Sequence, residues 1–314
     1  MSDTCYNFFM RKGHSLTIIA VLIWIGIICT IAYTYISEKS EIKTEKIIDI
    51  SHNEYDKYNE LNSNEKYLYD LIVSQLTILS DGTSDDSSIS FYGKSIGLSG
   101  AVSADLNGFN SSGVFKAIQI DYPYYDCLFG DTINYHVVQA KSLTGYGNAE
   151  ITIEFNTDKE TLSKYRNAYN NAKIIVNQTI DYDDLIKMNY FKEYLLDNVA
   201  YDYNTADEDI LQRSIINAFD EDYNTSVVCA GYAKAFKLLC DLSKVQTCYY
   251  VQGTLNNSSH AWNKYFSDGT FYLIDITNSS NGSIGQNGQL YMKEVVGSEY
   301  ALYPSSNYAN YIEE

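Results

Sequence analysis

Apolar residues along this chain fall into patterns of different period, and each predicts a different element. Residues 16–36, LTIIAVLIWIGIICTIAYTYI, form an uncharged apolar run of about twenty residues, long enough to cross a bilayer as a helix. Arg11 and Lys12 precede it, no small-residue cleavage site follows, and Ile27-Ile28 before Cys29 fits a lipoprotein site poorly. The run therefore reads as an uncleaved signal anchor. Residues 1–15 are then a short cytoplasmic tail, 37–60 a polar stalk, and 61–314 one folded domain. Lys39, Lys43 and Lys46 beyond the span compete with Arg11 and Lys12 under the positive-inside rule. The brevity of the tail favours N-terminus in, body outside.

The pattern then turns helical. Asn62 with Glu65 three residues on is a capping box, and Leu68, Leu71, Ile72, Leu76 and Leu79 follow at helical spacing. Residues 80–113, rich in Ser, Asp and Gly, predict loops with short strands such as 88–92. A helix over 114–121 should end at Tyr122-Pro123. Strands are expected at 133–140 and 149–155, where Ile151, Ile153 and Phe155 alternate with Thr152 and Glu154. Asp158 should cap a helix bearing Leu162, Tyr165, Tyr169, Ala172 and Val176. Another over 183–199 carries Leu185, Met188, Phe191 and Leu195. This gives a helical supporting part, 61–180, and a core at about 181–290.

Composition narrows the class. A net charge of -18 argues against nucleic acid as a partner, since phosphate binding needs a basic face. Six cysteines (5, 29, 127, 229, 240 and 248) show neither a CxxC pair nor zinc-ligand spacing, so no metal site or cofactor is expected. A Cys240–Cys248 bridge is compatible with the spacing, but a disulfide framework is not the default. His14, His52 and His136 show no partners, and the many tyrosines, Tyr303, Tyr308 and Tyr311 among them, read as packing and interface surface.

Chemistry concentrates in residues 227–279. Cys229 stands at or just before the first turn of a helix predicted over 230–242, with Ala233, Phe236, Leu239 and Cys240 on one face. The positive end of the helix dipole and the free first-turn N–H groups favour a thiolate there and can serve an oxyanion. Alone, Cys229 reads more readily as a small buried hydrophobe. His260 lies on a predicted strand, Asp268-Gly269 is a hairpin turn signal, and Asp275 lies on the return strand. Pairing Ser267 with Thr270 puts Trp262 opposite Asp275, so His260 and Asp275 become same-face diagonal neighbours, roughly 7–8 Å apart or somewhat less. A one-residue slip would separate them onto opposite faces. Cys229, His260 and Asp275 are thus a candidate nucleophile, base and orienting carboxylate. Taken singly, His260 also reads as a satisfied strand histidine and Asp275 as a hairpin cap.

The blocks V-C-A-G-Y-A-K-A-F (228–236), H-A-W-N (260–263) and Y-L-I-D-I-T (272–277), with Tyr194–Tyr203 upstream, resemble the transglutaminase-like superfamily, bacterial members included. The likeness spans about 190–280. Val227 stands where a glycine is common, and Ile276-Thr277-Asn278-Ser279 replaces an aromatic-acidic continuation. The resemblance implies a papain-like α+β fold, with a catalytic helix carrying Cys229 packed on an antiparallel sheet carrying His260 and Asp275. It implies a cysteine enzyme, peptidase or transglutaminase, transferring amide acyl groups of protein or cell-wall peptides through a thioester; the span at 16–36 makes this enzyme membrane-anchored and extracellular. The residues do not assign a side-chain oxyanion donor; Tyr223 is named only for its position just upstream of Cys229. The alternative from another class is a non-catalytic peptide- or wall-binding scaffold on the same fold.

Overall fold

A computed structural model describes residues 50–82, 94–100, 111–129, 134–142, 145–155, 157–203, 210–220, 226–245, 247–277, 292–295, 299–304 and 310–313. The expected span at 16–36, the strand at 88–92 and Tyr223 lie outside them. No helix among the described residues is long and apolar enough to cross a membrane.

The chain is α+β. Its helices are α1 (Ser63–Asp81), α2 (Ser111–Asp121), α3 (Asp126–Phe129), α4 (Lys159–Asn177), α5 (Asp184–Asn198), α6 (Ile215–Ala218) and α7 (Cys229–Leu242). α1 starts as its sequence requires: Asn62 accepts from the Asn64 and Glu65 N–H groups while the Glu65 side chain accepts from Asn62 N–H. Asp158 caps α4 by accepting from Thr161 N–H. The predicted stripes are largely buried: Leu68, Ile72, Leu76 and Leu79 on α1, Leu162, Tyr165, Tyr169 and Ala172 on α4, and Met188, Phe191 and Leu195 on α5. They meet α7 in one continuous core.

The N-terminal half is less purely helical than expected. Strands β1 (Lys94–Gly100), β2 (Asn134–Ser142) and β3 (Gly145–Phe155) form an antiparallel sheet in the order β1-β3-β2. Two short strands, β4 (Ala200–Tyr201) and β5 (Ser226–Val227), pair in parallel. The sheet that matters for the site comprises β6 (Cys248–Leu255), β7 (Ser258–Ser267), β8 (Thr270–Ile274), β9 (Met292–Val295), β10 (Glu299–Pro304) and β11 (Tyr311–Glu313). Its order is β11-β6-β7-β8-β10-β9. The core thus reaches past the expected limit near 290, because β10 pairs with β8 and β11 returns to pair with β6.

The folded body also includes residues 50–60, where the end of a stalk was expected. Ile50, Tyr58 and Leu61 pack on the main core. The reason is a buried carboxylate: Asp121 accepts from the N–H groups of Lys57 (2.8 Å) and Tyr58 (3.0 Å) and from Tyr69 Oη (2.7 Å). His52, which showed no partner in the sequence, bonds Asp70 (2.8 Å) and stacks on Tyr58.

Candidate active site

Cys229 is the first residue of α7, and Val228, the residue before it, adds no side-chain cap. The first backbone bond of the helix runs from Tyr232 N–H to Val228 O, leaving the N–H groups of Cys229, Ala230 and Gly231 ahead of it. The start of α7 is held closely from below. Val228 N–H donates to Gln212 O at 3.0 Å, and a Cβ on Gly231 would lie 2.6 Å from that same carbonyl and 2.6 Å from Val227 Cβ. Glycine follows Cys229 by two positions because no side chain fits there. Tyr232 Oη donates to Val199 O at the end of α5, at 2.5 Å. Asp202 Oδ2 receives both Gln212 Nε2 and Ser226 Oγ. The segment Tyr194–Tyr203 therefore buttresses the cysteine helix.

The hairpin of β7 and β8 has the predicted register: Ser267 pairs with Thr270 and Asn263 with Ile274. Asp268 and Gly269 both hold positive φ, 49° and 76°, as a two-residue turn that follows the strand twist requires. Continuing that count by one residue places Asp275 opposite Trp262, diagonal to His260. The contact closes, with His260 Nε2 2.8 Å from Asp275 Oδ2. Asp275 is wholly buried.

α7 lies on the sheet through its small residues Ala230 and Ala233, which pack against Ala261 of β7 and Tyr250 of β6, with Cys229 packed at the edge of this cluster. Asn263 is buried and donates from Nδ2 to Ala233 O at 2.9 Å, pinning helix to strand. This docking brings the Cys229 thiol to the imidazole. Burial works to lower the basicity of His260, yet hydrogen bonds to Asp275 and Cys229, with the charges of both, outweigh it and hold the imidazolium to about 10 against an ordinary 6.5. Because Nε2 faces the carboxylate, Nδ1 is the nitrogen left for the thiol. All three candidate residues therefore converge on one imidazole.

The structure adds a fourth group that had read as surface packing. Tyr311 Oη on β11 donates to Asp275 Oδ2 at 2.7 Å, and its ring packs edge-on against Trp262, centroids 5.1 Å apart. Trp262 itself lies beside the His260 ring at 5.9 Å. Tyr311 comes 36 residues after Asp275, and no local pattern marks it out among thirty-one tyrosines. Cys127, Cys229, Cys240 and Cys248 are free thiols, so the candidate Cys240–Cys248 bridge is not formed. Among the described residues no group of His, Cys, Asp and Glu could hold a metal ion.

No protein-family model matches the chain, and neither does any curated protein sequence. Among solved structures, one described as "Crystal structure of a TGase" is similar at 14% identity with a TM-score of 0.29, covering 58% of this chain and 51% of that one. The match thus spans about half the length of that structure.

Proposed function

We propose that the chain is a thiol acyl-transfer enzyme of transglutaminase-like type. The observation that carries this is the 2.8 Å contact between His260 and Asp275 on an imidazole that also bonds the Cys229 thiol. In this reading the Cys229 thiolate attacks an amide carbonyl of a protein or peptide, and the oxyanion meets the first-turn N–H groups of α7. His260 gives its proton to the departing amine as the C–N bond breaks, leaving a thioester on Sγ. Water or a second amine then attacks, His260 takes the proton released, and the acyl product leaves as the thiolate is restored. Asp275 keeps Nε2 protonated and Nδ1 directed at sulfur throughout. In the same reading residues 16–36 anchor the chain and place the site outside the cell.

Iodoacetamide labelling tests it. Cys229 should alkylate below neutral pH, and far faster than in the His260→Ala variant. Equal, slow labelling of both would sink the enzyme and leave the binding module. Incorporation of a labelled primary amine into protein identifies a transferase, and new termini a peptidase.

A further inference from the structure

Among the described residues, the edge of strand β6 beyond its pairing with β11 is open. Phe266 N–H donates to Thr247 O, so by the alternation of an antiparallel ladder residues 249, 251 and 253 direct their backbone groups to β7, while 248, 250, 252 and 254 direct theirs the other way. The outer side is consistent: Asn256 N–H donates to Asn310 O and Ile312 of β11 stands opposite Thr254. Among the described residues, β11 pairs no further along β6 than Gly253. Among the described residues nothing pairs with the backbone of Tyr250 or Gln252.

That edge opens into a cavity of about 640 Å³ between β6, α2 and the flank of α7. Its wall contains buried polar atoms without hydrogen-bond partners, namely Tyr249 Oη, Tyr250 Oη and Asp126 Oδ1. Tyr250 is nine-tenths buried, and the Gln252 side chain stands near its hydroxyl without completing a hydrogen bond. Such groups are costly unless something meets them. Tyr55 and Phe271 supply apolar wall. Lys234, Lys237 and Lys264 are already paired, with Asp126, Asp241 and Glu313, so the wall offers no unopposed charge from these three. Tyr250 also packs in the cluster against which Cys229 lies, which joins the cavity to the candidate nucleophile.

We infer that an extended peptide segment docks here as an added strand, its amides pairing with Tyr250 and Gln252, and that this is how a polypeptide substrate is laid toward Cys229. Main-chain pairing on a free edge gives affinity with little demand on sequence, and the buried hydroxyls and carboxylate oxygen meet the peptide's polar groups. The docking stands on the edge and cavity alone; calling the peptide a substrate rests on the function proposed above.

The test uses the full chain carrying Cys229→Ala, which binds without turnover, and a synthetic octapeptide library blocked at both ends. Retained peptides are remade with N-methyl groups on either the odd or the even amides. One set should lose affinity at least tenfold and the other should stay within about twofold, the period-two signature of strand addition. Gln252→Pro, which removes an outward N–H that bonds no described residue, should also lose the peptides, and thiol alkylation of Gln252→Pro with Cys229 intact reports whether it has folded. Failure to retain any peptide, or equal tolerance of both methylation sets, overturns the inference. A reactive Cys229 without peptide binding defeats the docking alone, and peptide binding with an inert Cys229 defeats the enzyme alone.

Discussion

Replacing Asp275 by asparagine isolates what the carboxylate does for His260. Holding the imidazolium to about 10 instead of 6.5 corresponds, at about 1.4 kcal/mol per pH unit, to on the order of 5 kcal/mol of preferential stabilisation. Burial opposes that shift, and among the causes that raise it the Asp275 hydrogen bond is the largest. With Asp275→Asn, the hydrogen bond to a charged acceptor and its charge are both lost, leaving the Cys229 contribution against burial. His260 should then titrate well below 10, and with Cys229→Ala added, below 6.5. An asparagine that offers Nδ2–H to Nε2 also puts the ring proton on Nδ1 facing sulfur, the tautomer that cannot accept a proton, so under the function proposed above turnover should fall. The assay is NMR titration of the His260 ring, assigned by its loss in His260→Ala. In stability terms, a His raised in this way stabilises the fold fully below about 6.5 and loses that contribution as pH rises through about 10; Asp275→Asn should flatten this alkaline loss. A His260 that still titrates near 10 in the variant would refute the assignment of Asp275 as its partner.

Tyr311→Phe removes one donor to a buried carboxylate and should cost about 1.5–3 kcal/mol in denaturant unfolding, with a change in the pH profile of Cys229 alkylation; an unchanged profile would make Tyr311 merely structural. Gly231→Ala forces a Cβ against Gln212 O and Val227 and should cost about 1–3 kcal/mol; a neutral result would mean that the 212 carbonyl yields freely. Asp121 is raised by burial to about 6, so its protonated form stabilises the fold below about 4 and that contribution is lost as pH rises through 6. Unfolding free energy measured between pH 4 and 7 should carry this loss, on the order of 3 kcal/mol, and its absence from the difference between the protein and Asp121→Asn would contradict it.

The helices were legible because their signals are local. Asn62 and Asp158 cap within three residues of themselves, and the stripes on α4 and α5 repeat inside one element. The His260–Asp275 contact was legible for the same reason, since Asp268-Gly269 fixes the count on both sides of a single turn. What escaped depends on distant pairing. Tyr311 reaches Asp275 only because β11 crosses to the far side of β6, and residues 50–60 look like linker until Asp121, more than sixty residues on, offers them a buried acceptor. The Gly231 contact with Gln212 O is of this kind too: the motif glycine stands out in the sequence, but its opposing carbonyl does not.

The turn at Asp268-Gly269 has a kinetic consequence. Residues 15 apart in sequence are joined by closing one hairpin, an event of about 1–10 μs, whereas the thiol must wait for α7 to settle on the sheet. We expect refolding to assemble base and carboxylate before the sulfur arrives, so that Cys229 acquires its fast alkylation in the last phase. Fast alkylation appearing in the first milliseconds, before α7 docks, would reverse that order. In this sequence of events the enhanced reactivity of Cys229 arises only once the chain is no longer exposed as unfolded polypeptide.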